Sequence, residues 1–111
     1  MELTWDNFEK VEMRVGTILS VVDFPEARNP AYQITIDFGI EIGIKKSSAQ
    51  ITNRYKKEDL IGKQVIAVVN LPKKQIGKFM SECLILGSIG NENDIVLLTS
   101  DLKVENGLRI G

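Results

Sequence analysis

Tyr32, Ile34, Ile36 and Phe38 alternate with Gln33, Thr35 and Asp37, a period of two that predicts a strand with one apolar face. Gly39 permits a turn, after which Ile40, Ile42 and Ile44 alternate with Glu41, Gly43 and Lys45, predicting a third strand hairpinned to the second. Ahead of them, Met13 to Phe24 is rich in β-branched residues and predicts strand one, with Gly16 as a place for a bulge or bend. The stretch between, Phe24 to Pro30, holds two prolines and predicts a loop. From Ala49 to Gly62 the period changes, with Ile51, Tyr55 and Leu60-Ile61 set among charged residues, which predicts one or two helical turns ended by Gly62. Lys63 to Leu71 and Phe79 to Gly87 are continuous apolar runs, read as strands four and five, buried on both faces, and Ile95 to Thr99 makes one more short strand.

Two extensions flank this set. Thr4 to Val11 predicts a short helical turn with Thr4 as N-cap and with Trp5 and Phe8 on one side. The last eleven residues place Leu102, Val104, Leu108 and Ile110 among polar neighbours. Three strands, a short helix and then two or more strands is the order of an all-β, five-stranded Greek-key barrel of the OB type, whose helix lies between strands three and four. SH3-type barrels compete but lack that helix. At 111 residues the chain predicts a single domain over residues 1–111.

Composition narrows the function classes. Hydrophobic residues at 43% and charged residues at 26% match a folding globular chain. No window approaches the about 18 apolar residues of a membrane span, and no signal-peptide pattern opens the sequence, so no membrane insertion and a cytoplasmic location are expected. One cysteine, Cys83, excludes an internal disulfide framework and, in an apolar run, reads as core. With no histidine the usual general base and commonest zinc ligand are missing. No phosphate loop, dinucleotide fingerprint or paired-carboxylate spacing stands in their place. The expectation is a binding protein, not an enzyme, with no metal and no cofactor.

Charge is segregated. The net charge is −1, yet Lys45 to Lys78 holds nine basic residues against Glu58 and Asp59, a local +7 that leaves −8 for the remainder. Such a footprint suits phosphate, although lysines also populate ordinary solvated turns. In an OB fold, Lys45 and Lys46 end strand three, while Lys73, Lys74 and Lys78 fall in the loop between strands four and five, beside the usual oligonucleotide groove. Arg54 belongs to the same segment. Only seven aromatics are present, too few for a stacking platform as well as a core, so recognition of folded RNA by shape and phosphate position is favoured over reading of unpaired bases. Arg14 either reaches a phosphate or pairs with Glu12. Ser47 and Ser48 either donate to phosphate or cap the following helix.

The segments Met13-Arg14-Val15-Gly16-Thr17-Ile18, Phe24-Pro25-Glu26-Ala27-Arg28, Ser47-Ser48-Ala49, Asn70-Leu71-Pro72 and Ser81-Glu82 resemble the structure-specific tRNA-binding OB domain, over nearly the whole chain. That domain occurs alone and attached to methionyl- and phenylalanyl-tRNA synthetases. Longer segments, among them Phe24 to Ala31 and Ser47 to Thr52, are similar to its stand-alone homodimeric members, described both as tRNA-binding proteins and as export-related chaperones. The resemblance implies tRNA as partner and a homodimer completed by the terminal extensions. A second implied partner is unfolded or export-bound polypeptide. It tips Asn70, otherwise a turn former before Pro72, toward the ligand, and of Ser81 and Glu82, on opposite faces of strand five, Ser81 is favoured for the groove. The synthetase-linked pattern Ser-Glu-Gly-Met is replaced here by Ser81-Glu82-Cys83-Leu84, a departure that leaves room for the polypeptide role.

Overall fold

The computed structural model describes residues 1–111. In chain order its main elements are α1 (Trp5–Lys10), β1 (Met13–Asp23), β2 (Tyr32–Asp37), α2 (Gly39–Ile42), β3 (Ile44–Ala49), α3 (Lys57–Leu60) and β4 (Gln64–Val68). After them come β5 (Lys74–Ile76), β6 (Phe79–Ser81), β7 (Leu84–Ile85), β8 (Gly87–Ile89) and β9 (Ile95–Leu97). Five strands form one antiparallel sheet in the order β3-β2-β1-β4-β7. It curls until β3 meets the segment around β7, giving a nearly closed barrel of the OB type.

The long first strand makes that curl. Met13 to Thr17 pairs with β4, whereas Thr17 to Asp23 pairs with β2, so β1 serves two neighbours with its two halves. The register slips between Ile18 and Ser20, placing the bulge at Leu19 rather than at Gly16. Gly16 has a different task. A Cβ there would lie 2.5 Å from Ile36 Cγ2 and 2.7 Å from the Phe38 ring, so the missing side chain lets the sheet close over its largest buried aromatic.

The alternation in β2 is as predicted: Tyr32, Ile34 and Ile36 point inward, followed by Phe38. Together with Ile18, Val21, Val65, Ala67, Ile51, Leu60 and Cys83 they form the core. Leu60 comes from the predicted helix, which is reduced to the single turn α3. Ile51 and Tyr55 precede it in irregular chain, where Tyr55 accepts from Leu97 N through its hydroxyl (3.0 Å) and from Tyr32 Oη through its carbonyl (2.7 Å).

The third strand begins later than the alternation of Ile40, Ile42 and Ile44 predicts. Gly39 and Gly43 both adopt φ +87°, and Asp37 Oδ1 accepts from Gly39 N at 2.8 Å. One helical turn therefore reverses the chain, leaving Ile40 and Ile44 exposed. The strand instead runs over Ile44–Ala49, with Lys45, Ser47 and Ala49 opposite the inward residues Ile36, Ile34 and Tyr32. The expected single strand over Phe79 to Gly87 is also broken. Its first part folds back on β5 as a hairpin turned by Gly77 (φ +61°), and only Leu84–Ile85 joins the barrel sheet.

Both extensions are tied down by polar bonds. Thr4 Oγ1 accepts from Asn7 N (3.1 Å), the predicted N-cap. The tail pairs with β1 on the edge away from β4, through Val15 N to Leu108 O (3.0 Å), Gly107 N to Val15 O (2.7 Å) and Ile110 N to Met13 O (2.9 Å). Gln64 holds the tail's start, its amide bonding both backbone groups of Val104 at 2.7 and 3.0 Å.

Gly16→Ala is expected to lower stability by about 1–3 kcal/mol, the usual cost of overpacking a closed core. Urea denaturation followed by circular dichroism checks it, and an unchanged midpoint would show that Phe38 yields freely.

Candidate nucleic-acid interface

A groove lies beside Gln33 of β2, between the start of the loop 24–31 and the turn of the β5–β6 hairpin. Its walls meet where Phe24 and Phe79 pack with ring centroids 5.2 Å apart and planes tilted by 58°. A cavity of about 550 Å³ opens there, lined by Phe24, Glu26, Gln33, Gly77, Lys78 and Phe79. Strand alternation sets Lys46 and Ser48 on the outer side, opposite Thr35 and Gln33. Lys74 and Lys78 come from the stem and turn of the hairpin. Lys46, Lys74 and Lys78 are exposed, and none is in an ion pair.

Lys56 and Lys63 are likewise exposed and in no ion pair but do not line this groove, whereas the remaining cations of the basic segment are engaged elsewhere. Arg54 pairs with Asp94, its Nη2 lying 3.0 Å from Oδ2, while the amide of Asn53 donates to the carbonyls of Glu92 and Asn93 (3.0 and 3.3 Å). The two acceptors sit at φ +56° and +61°, so this clasp holds a left-handed turn between β8 and β9. The hydrogen bond with Asp94 raises the pKa of Arg54 and lowers that of Asp94. Lys57 reaches Asp23 at 3.0 Å, and that bond raises its pKa. Lys73 lies 3.6 Å from Glu82. Lys45 faces inward, half-buried, close enough to Cys83 for its charge to act on the thiol.

The polar residues singled out from sequence have structural partners. Arg14 bonds Glu12 Oε1 (2.5 and 3.1 Å) and Gly107 O (2.8 Å), linking β1 to the tail. Asn70 accepts from Glu12 N (3.0 Å) and donates to Lys10 O (2.6 Å), fastening the end of α1 to the end of β4. Neither serine caps a helix. Ser47 is buried inside the barrel and donates to Cys83 O at 2.9 Å. Ser48 N donates to Ser81 Oγ at 3.2 Å.

Those contacts belong to the seam where the barrel closes. Glu82 N donates to Lys46 O (2.7 Å), and Lys46 N donates back to Glu82 Oε1 (3.0 Å). Ser81, Glu82 and Cys83 thus satisfy the edge of β3 mainly through side chains. Sequence reasoning set Glu82 aside in favour of Ser81, because strand alternation carries no sign of a contact 36 residues away.

Residues 13–109 match the family model described as "Putative tRNA binding domain". The chain belongs to this family. Among curated members, the methionine–tRNA ligase of Parabacteroides distasonis is 32% identical over 108 residues, and that of Methanocaldococcus jannaschii 31% over 102. Those matches take in 97% and 92% of this chain but only 16% and 15% of the ligases, so the chain spans a small part of their length. Two solved structures match it end to end. The chaperone CsaA of Bacillus anthracis is 45% identical with a TM-score of 0.95, covering 100% of both chains. The CsaA chaperone protein of Picrophilus torridus is 52% identical with a TM-score of 0.93, covering 99% of this chain and 100% of its own. The likeness to the tRNA-binding OB domain and to its stand-alone members, read from motifs, therefore holds over the whole fold.

Cys83 remains a core residue in this tRNA-binding domain. Burial, offset in part by the charge of Lys45 and the Ser47 hydroxyl, pushes its thiol up to about 12. At pH 8 only about one thiol in 10,000 would then be ionised, since the thiolate is the reactive form. Native protein is expected to react with Ellman's reagent far more slowly than the urea-unfolded chain; equal rates would show that the seam opens readily.

Proposed function

We propose that this domain binds folded RNA of the tRNA class as a cytoplasmic homodimer, holding it by phosphate and shape contacts and performing no catalysis. The observation that carries the reading is a trio of exposed, unpaired cations, Lys78 lining the groove, Lys74 on the stem of the hairpin that walls it and Lys46 on the outer face of β3, in a chain of a tRNA-binding family. Such cations release counterions from phosphate and supply affinity without reading bases. Lys73 adjoins Lys74 beside Glu82, whereas Lys45 faces inward. Ser48 adds a hydroxyl on the same outer face.

The homodimer is supported by the terminal extensions. Trp5 is 82% exposed on α1 and, with Phe8, Val11 and Ile110, lines a groove of about 460 Å³. The polar groups of arm and tail bond to the barrel and leave these apolar side chains outward, a surface that a second copy would cover. Two barrels so joined would offer one long basic track.

The triple variant Lys46→Ala, Lys74→Ala, Lys78→Ala is expected to bind folded tRNA at least about tenfold more weakly, with a salt slope shallower by about 2. Arg54→Ala, which removes a cation held by Asp94, is expected to change affinity less than twofold. Filter binding at several salt concentrations, with an unstructured RNA of equal length alongside, checks both. Equal affinity for the two RNAs would overturn recognition by shape.

A second reading, capture of unfolded polypeptide, is favoured by a separate feature. Ile51, Leu84, Ile85, Ile89, Ile95 and Leu97 line an apolar groove of about 380 Å³, and Ile89 is 84% exposed. If polypeptides dock there, Ile89→Asp abolishes suppression of reporter aggregation while tRNA binding persists. No suppression by the unaltered protein would remove this reading.

A further inference from the structure

Glu82 is a carboxylate bonded to the edge of the proposed RNA face. Its backbone N–H donates to Lys46 O at 2.7 Å, and its Oε1 accepts the Lys46 N–H at 3.0 Å. Both polar groups of one β3 peptide position are thus held by one residue. Its Oε2 lies 3.6 Å from Lys73 Nζ, just before the hairpin. The side chain is only a quarter exposed, so these bonds are shielded from competing water.

We propose that Glu82 is a positioning residue for RNA binding, a latch that fixes β3 to the root of the β5–β6 hairpin and so sets the spacing of Lys46 from Lys74 and Lys78. The proposal rests on the RNA-binding reading above. Its physical motive is that strand β3 and the hairpin belong to different sheets and share no strand pairing. The nearby links are the Glu82 bonds, the bond from Ser48 N to Ser81 Oγ, and the bonds that join Cys83 to Ser47 and to Lys46 O. Cations on two weakly joined elements meet phosphates at fixed separations only if the joint is stiff.

Electrostatics alone makes the opposite forecast, which renders the proposal decisive to test. A negative charge beside a phosphate-binding face repels the ligand, so removing a bystander carboxylate tightens RNA binding. Removing a latch weakens it. Glu82→Ala is expected to lose about tenfold in tRNA affinity with a shallower salt slope, because fewer cations reach phosphates together. Glu82→Gln keeps an oxygen for the Lys46 N–H and is expected to bind within about twofold of the unaltered protein, or more tightly. Where the alanine variant does not fold at the assay temperature, Glu82→Asp carries the test. It keeps the charge but falls one methylene short, so a latch predicts a loss of several-fold and a bystander predicts none.

Tighter or unchanged binding by Glu82→Ala, or by Glu82→Asp in its place, overturns the proposal, as does a tenfold loss in Glu82→Gln. Hydrogen exchange at the Lys46 amide of the free protein reads the latch without RNA. Protection is expected in the unaltered and Gln forms and its loss in the Ala form. If the unaltered protein binds no tRNA, the RNA reading fails, and the exchange result then stands as a test of the latch alone.

Discussion

The seam between β3 and residues 81–83 is the joint on which the rest of the structure depends. A curled sheet leaves its two outer strands with unpaired backbone groups, and a barrel this small has no covering layer to hide them. Here the gap is bridged by Ser47, Ser81 and Glu82, whose side chains stand in for most of a missing ladder. Because Ser47 occupies an inward position of β3, the barrel buries a serine hydroxyl among apolar side chains, and its bond to Cys83 O satisfies it. The same seam brings the hairpin beside β3 and thereby makes a groove.

Ion pairing then edits the basic segment. Nine cations cluster in sequence, but Arg54, Lys57 and Lys73 are each placed beside a carboxylate. These exposed pairs contribute little to stability. Their consequence is spatial: three of the cations left without a carboxylate partner, Lys46, Lys74 and Lys78, stand on β3 and the β5–β6 hairpin. The high local charge is thereby reduced to a few directed positions, which suits a ligand recognised by the spacing of its phosphates.

The extensions follow a different rule. Gln64, Asn70, Arg14 and the backbone of the tail all bond inward, so α1 and residues 104–110 are fixed by polar groups. Arg109 adds a bond from Nη2 to Glu9 O at 2.5 Å, closing the end of α1 against the tail. Several of their apolar side chains, Trp5, Val11, Leu102 and Leu108 among them, are left exposed, the reverse of what a core element does. That inversion is what one expects where burial is completed by another molecule.

Local patterns were legible in the chain itself. The alternation of Tyr32 to Phe38, the cap at Thr4, the apolar run of β4 and the helical stop at Gly62 follow from backbone stereochemistry and side-chain period, which act over a few residues. The five-stranded barrel class followed from them, while the family likeness rested on motif segments such as Met13 to Ile18, Phe24 to Arg28 and Ser47 to Ala49. Where local signals were degenerate, tertiary structure decided. Ile40, Ile42 and Ile44 satisfy a strand period, yet Gly39 and Gly43, both at φ +87°, carry a one-turn reversal that the period does not announce. Ser47 and Ser81 read as candidate ligand groups and Glu82 did not, but closure of the barrel brings all three into bonds across the seam. Which lysines remain free was likewise settled by contacts 34 to 40 residues apart, such as Lys57 with Asp23 and Arg54 with Asp94. Sequence period reports the face on which a side chain lies; only the closed barrel determines what that face meets.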